Sequence, residues 1–538
     1  MLNLWIRRIV IFTGLLAILV GASISYGDSL FLTAPEEIDV IQALLQKREQ
    51  QEILRAEIEA EIARLEQLEE DAREQREQEL LEEQQRLEEE AQALIDAYTL
   101  GNRDKPQDYL NLFDNSIKHT FIVDFDTAEW EGLIQDMEDY YDLFGTYRSN
   151  NYRKVNVTYI TDEETISIQD VGIRSKGNHY SRRLPISNQG DVIPIHYVLK
   201  FNETFDTEVG TEEYTLLKTR EVFDVEKLIF KWNRNNDPTY LSEVYSMQVF
   251  RDAGVPAPMM SLANYIIRID GEVVFEELYG VQEYIDEEFV RKQLQDIPTK
   301  DVGDLYKVIW PGTLEPIYDT SLVGIREWET NTRPVYGLES NDDIMNYQQL
   351  IDFTFALDNS NETERKTFID QSIDVDTMIR AFAASIFLGN PDDYRGNANN
   401  YYLYFDQQGV FTYIPFDFDH SLGQGWAGNP VFIDYSLGND IYTWEGDGFS
   451  AATRNIPLID NILLAYEEYQ ILYEDYLEAF ISDGTFSYAG FSALFNQAEA
   501  LYGDQYYMVN DKEYYITTKI TNVLEDVEQY RAIRKFHS

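Results

Sequence analysis

The stretch 390–423, NPDDYRGNANNYYLYFDQQGVFTYIPFDFDHSLG, leaves few folds open to it, because two short apolar runs are bracketed by carboxylates and asparagines. Residues 401–405 and 410–416 are rich in aromatic and β-branched side chains, with the turn chemistry of Asp406-Gln-Gln-Gly409 between them. The segment therefore predicts a β-hairpin. Asp392, Asp393, Asn397, Asn399 and Asn400 precede the first strand, and Asp417 and Asp419 follow the second. A hairpin brings these hard oxygen donors to one end of a sheet, and magnesium or manganese prefers such a set. Asp417 and Asp419 project to one side if the chain stays extended, and Gly423 follows as a turn. Asp and Asn are also ordinary turn residues, which is how Asp393 is read. The whole arrangement, more than any one pair, points to a metal-phosphate site.

Around this segment the pattern is mixed. Residues 155–160, 165–173, 193–201 and 275–285 read as strands, and 241–253, 343–357, 374–388, 456–480 and 491–502 read as helices. Strands first and helices later predict the α+β class. Residues 36–97 contain no Gly or Pro and are dominated by good helix formers, so they predict one long helix. Leu80, Leu87 and Leu94, and earlier Ile58, Leu65 and Ala72, recur at seven residues, while Glu61, Gln75 and Glu83 hold the second seam position. A solvated single helix and a coiled coil both fit. Gly101 and Pro106 then mark a linker. At the start, Arg7-Arg8 precedes the uncharged run 9–24, which predicts export, with everything beyond Tyr26 outside the cytoplasm. A cleaved signal peptide and a retained membrane anchor are both consistent with its length. The expected organisation is 1–27 signal or anchor, 36–98 acidic stalk, 99–109 linker and 110–538 globular domain.

With no cysteine, the chain has no disulfide framework, zinc-thiolate site or lipoprotein attachment point. Its 97 acidic against 43 basic residues give a net charge of −54. The stalk, with 21 acidic and 7 basic residues, accounts for −14 of this and leaves −40 for the remainder. Such a field argues against nucleic acid and anionic lipid as partners and favours basic proteins or divalent cations; solubility alone explains it equally well.

Several short segments resemble the CotH-like atypical protein kinases of spore coats. Asn390-Pro391-Asp392, Asn400-Tyr401-Tyr402-Leu403-Tyr404 and Pro415-Phe416-Asp417-Phe418-Asp419 before Gly423 are similar to that family's Asn-x-Asp, Asn-Tyr-Tyr-Leu-Tyr and Pro-x-Asp-x-Asp motifs. Upstream, Gly172-Ile-Arg174-Ser-Lys176-Gly177-Asn178 resembles its Gly-x-Arg-x-Arg-Gly-Asn turn, and Tyr197-Val-Leu-Lys200-Phe201 its Tyr-x-x-Lys-Phe strand. The segment from Asp237 through Glu243 to Pro258 resembles its Glu-bearing helix and turn, and Glu283 to Asp286 and Leu305-Tyr306-Lys307 follow in order. The resemblance runs from about Leu110 to the C-terminus.

It implies a bilobal protein-kinase-like fold, with a strand-rich N-terminal lobe and a helical C-terminal lobe, using ATP with Mg2+ or Mn2+. On that reading Arg174, Lys176, Gly177 and Asn178 cover the phosphates, Lys200 contacts the triphosphate and pairs with Glu243, and Glu283 helps bind the nucleotide. Asp392 is the base that receives the hydroxyl proton. Asp417 and Asp419 hold metal, and Asn397 and Asn400 compete for a further ligand position, the first by spacing and the second by motif. No Walker A sequence, G-x-G-x-x-G, His-Arg-Asp or Asp-Phe-Gly string occurs. The expected activity is transfer of the ATP γ-phosphate to Ser or Thr of basic, Ser-rich surface or envelope proteins. The alternatives are a non-catalytic surface or adhesion module of the same fold and an ATP-dependent nucleotidyl transferase.

Overall fold

The computed structural model describes residues 34–98, 105–178, 182–295, 302–341, 344–425, 436–443 and 455–537. The chain divides into two compact units, 1–86 and 87–538. The expected signal segment 1–27 lies outside the described residues. Among those described, no helix is long and apolar enough to cross a membrane.

Helix α1 (Ala34–Tyr98) is continuous, as the absence of Gly and Pro requires. Its described apolar side chains are largely in solvent: Leu65 is 51% exposed and Leu80 70%. Pairs four residues apart, Arg48 with Glu52 and Arg55 with Glu59, lie along the surface. The helix is seen as a single element. The expected linker is helical in its second half, from Lys105 to Leu112.

The second unit is a mixed α+β structure built on two sheets. Strand β1 (His119–Phe125) leads into helix α2 (Thr127–Phe144), and β2 (Arg153–Ile160), β3 (Thr165–Lys176), β4 (His196–Lys200) and β5 (Lys227–Trp232) follow. Helix α3 (Ser242–Asp252) precedes β6 (Met260–Ile269) and β7 (Glu272–Glu283). These seven strands close into a barrel in the order β1-β2-β3-β4-β5-β7-β6, with β6 returning parallel to β1. The second sheet holds β8 (Asp304–Val308), β9 (Val323–Gly324), β10 (Tyr336–Leu338), β11 (Tyr401–Phe405) and β12 (Phe411–Pro415), in the order β12-β11-β8-β10-β9. The hairpin expected from the sequence is β11–β12, with Tyr401 opposite Pro415 and Phe405 opposite Phe411. Gly409, at φ 84°, makes its turn.

Strand alternation decides which side chains meet the site. On β4 and β5, Tyr197, Leu199, Leu228 and Phe230 fill the barrel, whereas Val198 and Ile229 pack outward in a cluster with Tyr402, Ile414 and Phe416 of the second sheet. Lys200, Lys227 and Lys231 share that outward parity and line the cleft between the sheets. Helix α4 (Val375–Leu388) lies under the second sheet with ten of its residues buried. It ends at Gly389 in the left-handed conformation at φ 62°, where an added Cβ would lie 2.1 Å from the Tyr515 hydroxyl, so only glycine turns the chain into Asn390 here.

Two expected helices differ in detail. The 343–357 helix begins only at Gln348, and the 456–480 span divides into a π-turn, Ile459–Leu463, and a separate helix, Glu467–Ser482. Asp460 caps the start of that turn, its carboxylate accepting the Ile456 amide at 2.8 Å.

Phe230 anchors the strand that carries Lys231. Its ring is fully buried, with centroids 4.9 Å from both Phe121 and Tyr265. Phe230→Ala is expected to lower stability by about 3–5 kcal/mol, read as a shift of the denaturant midpoint at unchanged slope.

Candidate active site

A cleft of about 920 Å³ opens between the outer face of β3–β5 and the second sheet. At its back the Lys231 ammonium donates to Glu243 Oε1 on α3 at 2.5 Å and to Asp417 Oδ1 just past β12. Burial alone would lower the Lys231 pKa, but Asp417 and Glu243 overturn that and hold it well above the ordinary lysine value. Burial would likewise raise Asp417, and Lys231 with Lys176 holds it well below the ordinary carboxylate range. Both groups are therefore charged across the physiological range.

Asp417 does not continue the strand. It adopts φ 61°, a left-handed conformation that Asp tolerates better than most residues, and such conformations gather at functional sites. Asp417 and Asp419 both line the cleft, yet through this turn and not through the extended alternation expected. The turn sends Phe418 inward, fully buried and edge-on to Phe250 of α3 at 4.7 Å. Ser421 Oγ then meets Ser246 Oγ of the same helix at 2.7 Å. Asn235 Nδ2 donates to the Asp419 carbonyl at 2.9 Å. The helix that presents Glu243 and the segment that presents Asp417 are thus one packed unit.

Asp392 lies on the floor, 9% exposed. Its Oδ1 accepts from Asn397 Nδ2 at 2.7 Å and Asn399 Nδ2 at 3.1 Å, and its Oδ2 from Asn400 Nδ2 at 2.9 Å. Burial raises its pKa, the Asn397 and Asn399 amides oppose this, and Asp417 adds to it. Both asparagines that competed for one role in the sequence therefore orient the same carboxylate. Asn399, left out of the expected site, is a third. Asp393 is the turn residue expected: it caps the short helix Tyr394–Asn397 through Gly396 N at 2.7 Å and accepts from Ser385 Oγ.

Two further lysines join Lys231. Lys176, Lys231 and Lys307 stand 5.0, 5.9 and 4.6 Å from the centre of the Phe416 ring, next to Asp417. Burial, followed by repulsion from Lys307, lowers Lys176 well below its ordinary value. Lys307 is brought down to about 8 by burial, with Glu339 opposing and Arg333 reinforcing the shift. Like charges held this close are suited to an anion with several negative oxygens.

Two expectations need correction. Lys200 does not meet Glu243: it donates to Glu203 Oε2 at 2.9 Å, and in the β4–β5 ladder it sits opposite Lys227, at the far end from Lys231. The antiparallel pairing puts the lysine beside the helix glutamate on β5, not on β4. The sequence did carry a signal for it, since Lys231 ends the apolar run Leu228–Phe230 eleven residues ahead of Ser242, the start of α3. Glu283 is 2% exposed, accepts the Met259 amide at 3.1 Å, and is absent from the cleft lining, where Tyr284 stands instead. Its parity on β7 points it away from the cleft. Arg174, Lys176, Gly177 and Asn178 do line the cleft.

The cleft also departs from the chain's overall charge. Among the described residues, ten basic and four acidic side chains line it, so its local charge is opposite in sign to that of the whole chain. Among the described residues, Glu221, Glu226 and Glu288 are the three carboxylates close enough together to hold a metal by themselves, and none lines the cleft. Asp417, Asp419 and the Asn400 amide oxygen fit a cation shared with phosphate oxygens, the usual way magnesium is held, better than one caged by protein alone.

Geometry of this kind defines a class: an anion-binding cleft with an aligned lysine, an oriented carboxylate and hard oxygen donors. The family model described as CotH kinase protein matches residues 173–536, well over half of the chain, and the chain belongs to that family. The match starts at the end of β3, so β1, β2 and α2 precede it. No curated protein matches the chain.

An anion in this cleft should feel the titration of Lys307. Below about pH 8 Lys307 is protonated and attracts it; above, the charge is lost. Calorimetric binding of pyrophosphate is therefore expected to weaken as pH rises through about 8, and Lys307→Met should weaken binding at pH 7 and remove that step.

Proposed function

We propose that the protein is an ATP- and divalent-metal-dependent protein Ser/Thr kinase with a bilobal kinase-like architecture, the barrel acting as the N-terminal lobe and the second sheet with its helices as the C-terminal lobe. The observation that carries the reading is Lys231 paired with Glu243 on α3 and set against Asp417 beyond the β11–β12 hairpin; a Lys–Glu pair beside a carboxylate able to hold metal is what phosphoryl transfer uses to align a triphosphate and its metal. Family membership supports it independently.

In this reading Lys231, set by Glu243, holds non-transferred phosphate oxygens, and Lys176 and Lys307 neutralise charge on the group in flight. The turn at Gly177 and Asn178 covers the phosphates. Asp417, Asp419 and Asn400 would hold Mg2+ or Mn2+, which when bound supplies charge neutralisation and fixes the triphosphate's conformation. Asp392, its two oxygens held by Asn397, Asn399 and Asn400, receives the acceptor's hydroxyl proton. The acceptor oxygen bonds to the γ-phosphorus, the bond to the β–γ bridging oxygen breaks, and ADP leaves. Lys200, tied to Glu203, lies at the cleft's other end and serves nucleotide binding only peripherally.

Lys231→Met is expected to lower kcat/KM by about a hundredfold or more, since it removes a preorganised charge from the transition state, while Lys200→Met retains most activity. Asp417→Ala should abolish transfer with the fold retained. Asp392→Asn should keep nucleotide affinity and lose about 10²–10⁴-fold in the chemical step. The decisive measurement is the fate of label: transfer from γ-labelled ATP supports the kinase, transfer from α-labelled ATP alone supports a nucleotidyl transferase, and transfer of neither leaves a binding module.

The protein acts outside the cytoplasm, exported by the Arg7-Arg8 segment, with α1 as a spacer, either a solvated single helix or one strand of a coiled coil. Reporter fusions after Gly27 and after Ala97 are expected to be extracytoplasmic; a cytoplasmic signal from the second overturns this topology. A basic, Ser-rich acceptor is the substrate the family resemblance suggests.

A further inference from the structure

The kinase reading uses the lysines around Phe416 and, of the cleft's arginines, places only Arg174, expected at the phosphates; it leaves most of a second cationic group in the same cleft unexplained. Arg174, Arg182, Arg326 and Arg333 line the cleft, with Arg148 behind them. The other cleft lysines that lie outside the Phe416 cluster are paired, Lys200 with Glu203 and Lys227 with Asp286. None of the five arginines forms an ion pair with a carboxylate among the described residues. Arg182 uses Ser175 Oγ at 2.9 Å and the Ser175 carbonyl, and Arg148 uses Thr146 Oγ1 at 3.0 Å and Asn331 Oδ1 at 2.7 Å, all neutral acceptors. Arg174, 8% exposed, has no hydrogen-bond partner at Nε. The Arg326 guanidinium stacks on Trp328 at 3.4 Å, with Arg174 5.8 Å from the same ring.

Carboxylates are not scarce in a chain with 97 of them, so the lack of an ion pair among the described residues here is a property of the site. Glu339, whose charge acts on Arg174, Arg326 and Arg333, is exposed. Burial and then mutual repulsion push Arg326 down to about 9 and Arg333 to about 10. A fold that keeps desolvated like charges together loses stability, and a bound anion returns it. Guanidinium groups fixed by stacking present planar forks matched to carboxylate or phosphate oxygens. The arginine group shares its cleft with Asp392, and Trp310, 55% exposed on the rim, ties to the same floor by donating its amide to Asn399 Oδ1 at 2.8 Å.

We infer that Arg174, Arg182, Arg326 and Arg333 form an acceptor subsite that takes an anionic side chain flanking the target hydroxyl, so that the preferred acceptor is an acidic or already phosphorylated peptide segment. This rests on the kinase reading for the word acceptor, and on geometry alone for the anionic peptide. It departs from the basic, Ser-rich acceptor that the domain's net charge and the family resemblance suggest, because the field a substrate meets is the cleft's own.

The test separates the two readings by measuring binding and transfer independently. Binding to the full chain is measured by calorimetry at low salt, with short peptides of equal length whose central Ser is replaced by Ala and whose flanks are Glu, phosphoserine, Lys or neutral. The Glu and phosphoserine peptides are expected to bind about tenfold or more tightly than the neutral one, and the Lys peptide more weakly. Equal gains for Glu and phosphoserine identify charge as the feature read; a gain for phosphoserine alone identifies the phosphate. Arg326→Gln with Arg333→Gln should erase the preference and leave the melting temperature equal or higher, since repulsion is relieved, with affinity for ATP within about twofold. Tightest binding of the Lys or neutral peptide, a preference that survives the double variant, or a loss that falls on ATP instead overturns the subsite. Acidic peptides that bind while no Ser counterpart accepts label from γ-labelled ATP would refute the kinase reading and leave the subsite standing; label transfer that favours Lys-flanked Ser would do the reverse.

Discussion

One ammonium group joins the parts of the site. Lys231 extends from the barrel strand β5, Glu243 from helix α3, and Asp417 from the segment beyond the hairpin, and the three charges meet with Lys231 only 7% exposed. A buried cation is tolerable only where carboxylates compensate for lost hydration, so the position of each element is constrained by the other two. Phe418 on Phe250, and Ser421 on Ser246, lock the same elements by packing and hydrogen bonding. Displacing α3 would therefore take Glu243 away from Lys231 and, at the same time, Phe250 and Ser246 away from the segment that carries Asp417.

Electrostatics in this protein is local. A chain of net charge −54 contains a cleft whose charged lining is mostly cationic, and two of the carboxylates in that cleft, Asp392 and Asp417, are held in place by amides and by a lysine. Asp392 depends on three asparagine side chains, which keep it oriented without adding charge. Low-dielectric walls focus such a field within the cleft, while the exposed acidic surface is screened over about 8 Å at physiological salt. A ligand approaching from solvent meets the acidic surface first and the cationic cleft at contact.

Much of the local structure was legible in the residues. The hairpin 401–415, the continuous helix over the Gly- and Pro-free run, the strands near 155, 165 and 196, and the helices ending at Asp252 and Leu388 all follow from apolar periodicity and turn chemistry. Less legible were β1, β5, β6 and α2, and with them the closure of a seven-stranded barrel by a parallel β1–β6 pairing, which depends on contacts far apart in sequence. Asp417 and Asp419 were legible as a pair, though not the left-handed turn that presents them.

The sequence by itself determined the kinds of chemistry present: hard oxygen donors around a hairpin, lysines at strand ends, a glutamate at the start of a helix, an acidic surface, and the motifs that place the chain among its relatives. Only the tertiary structure decided which of these groups meet. Whether Lys200 or Lys231 reaches Glu243 depends on antiparallel register, since one strand's end lies beside the next strand's beginning and residues alike in sequence pattern fall at opposite ends of a ladder. The sign of the charge in the cleft was likewise undecided, because net charge is a sum over the whole chain and a cleft samples only the side chains folded into it.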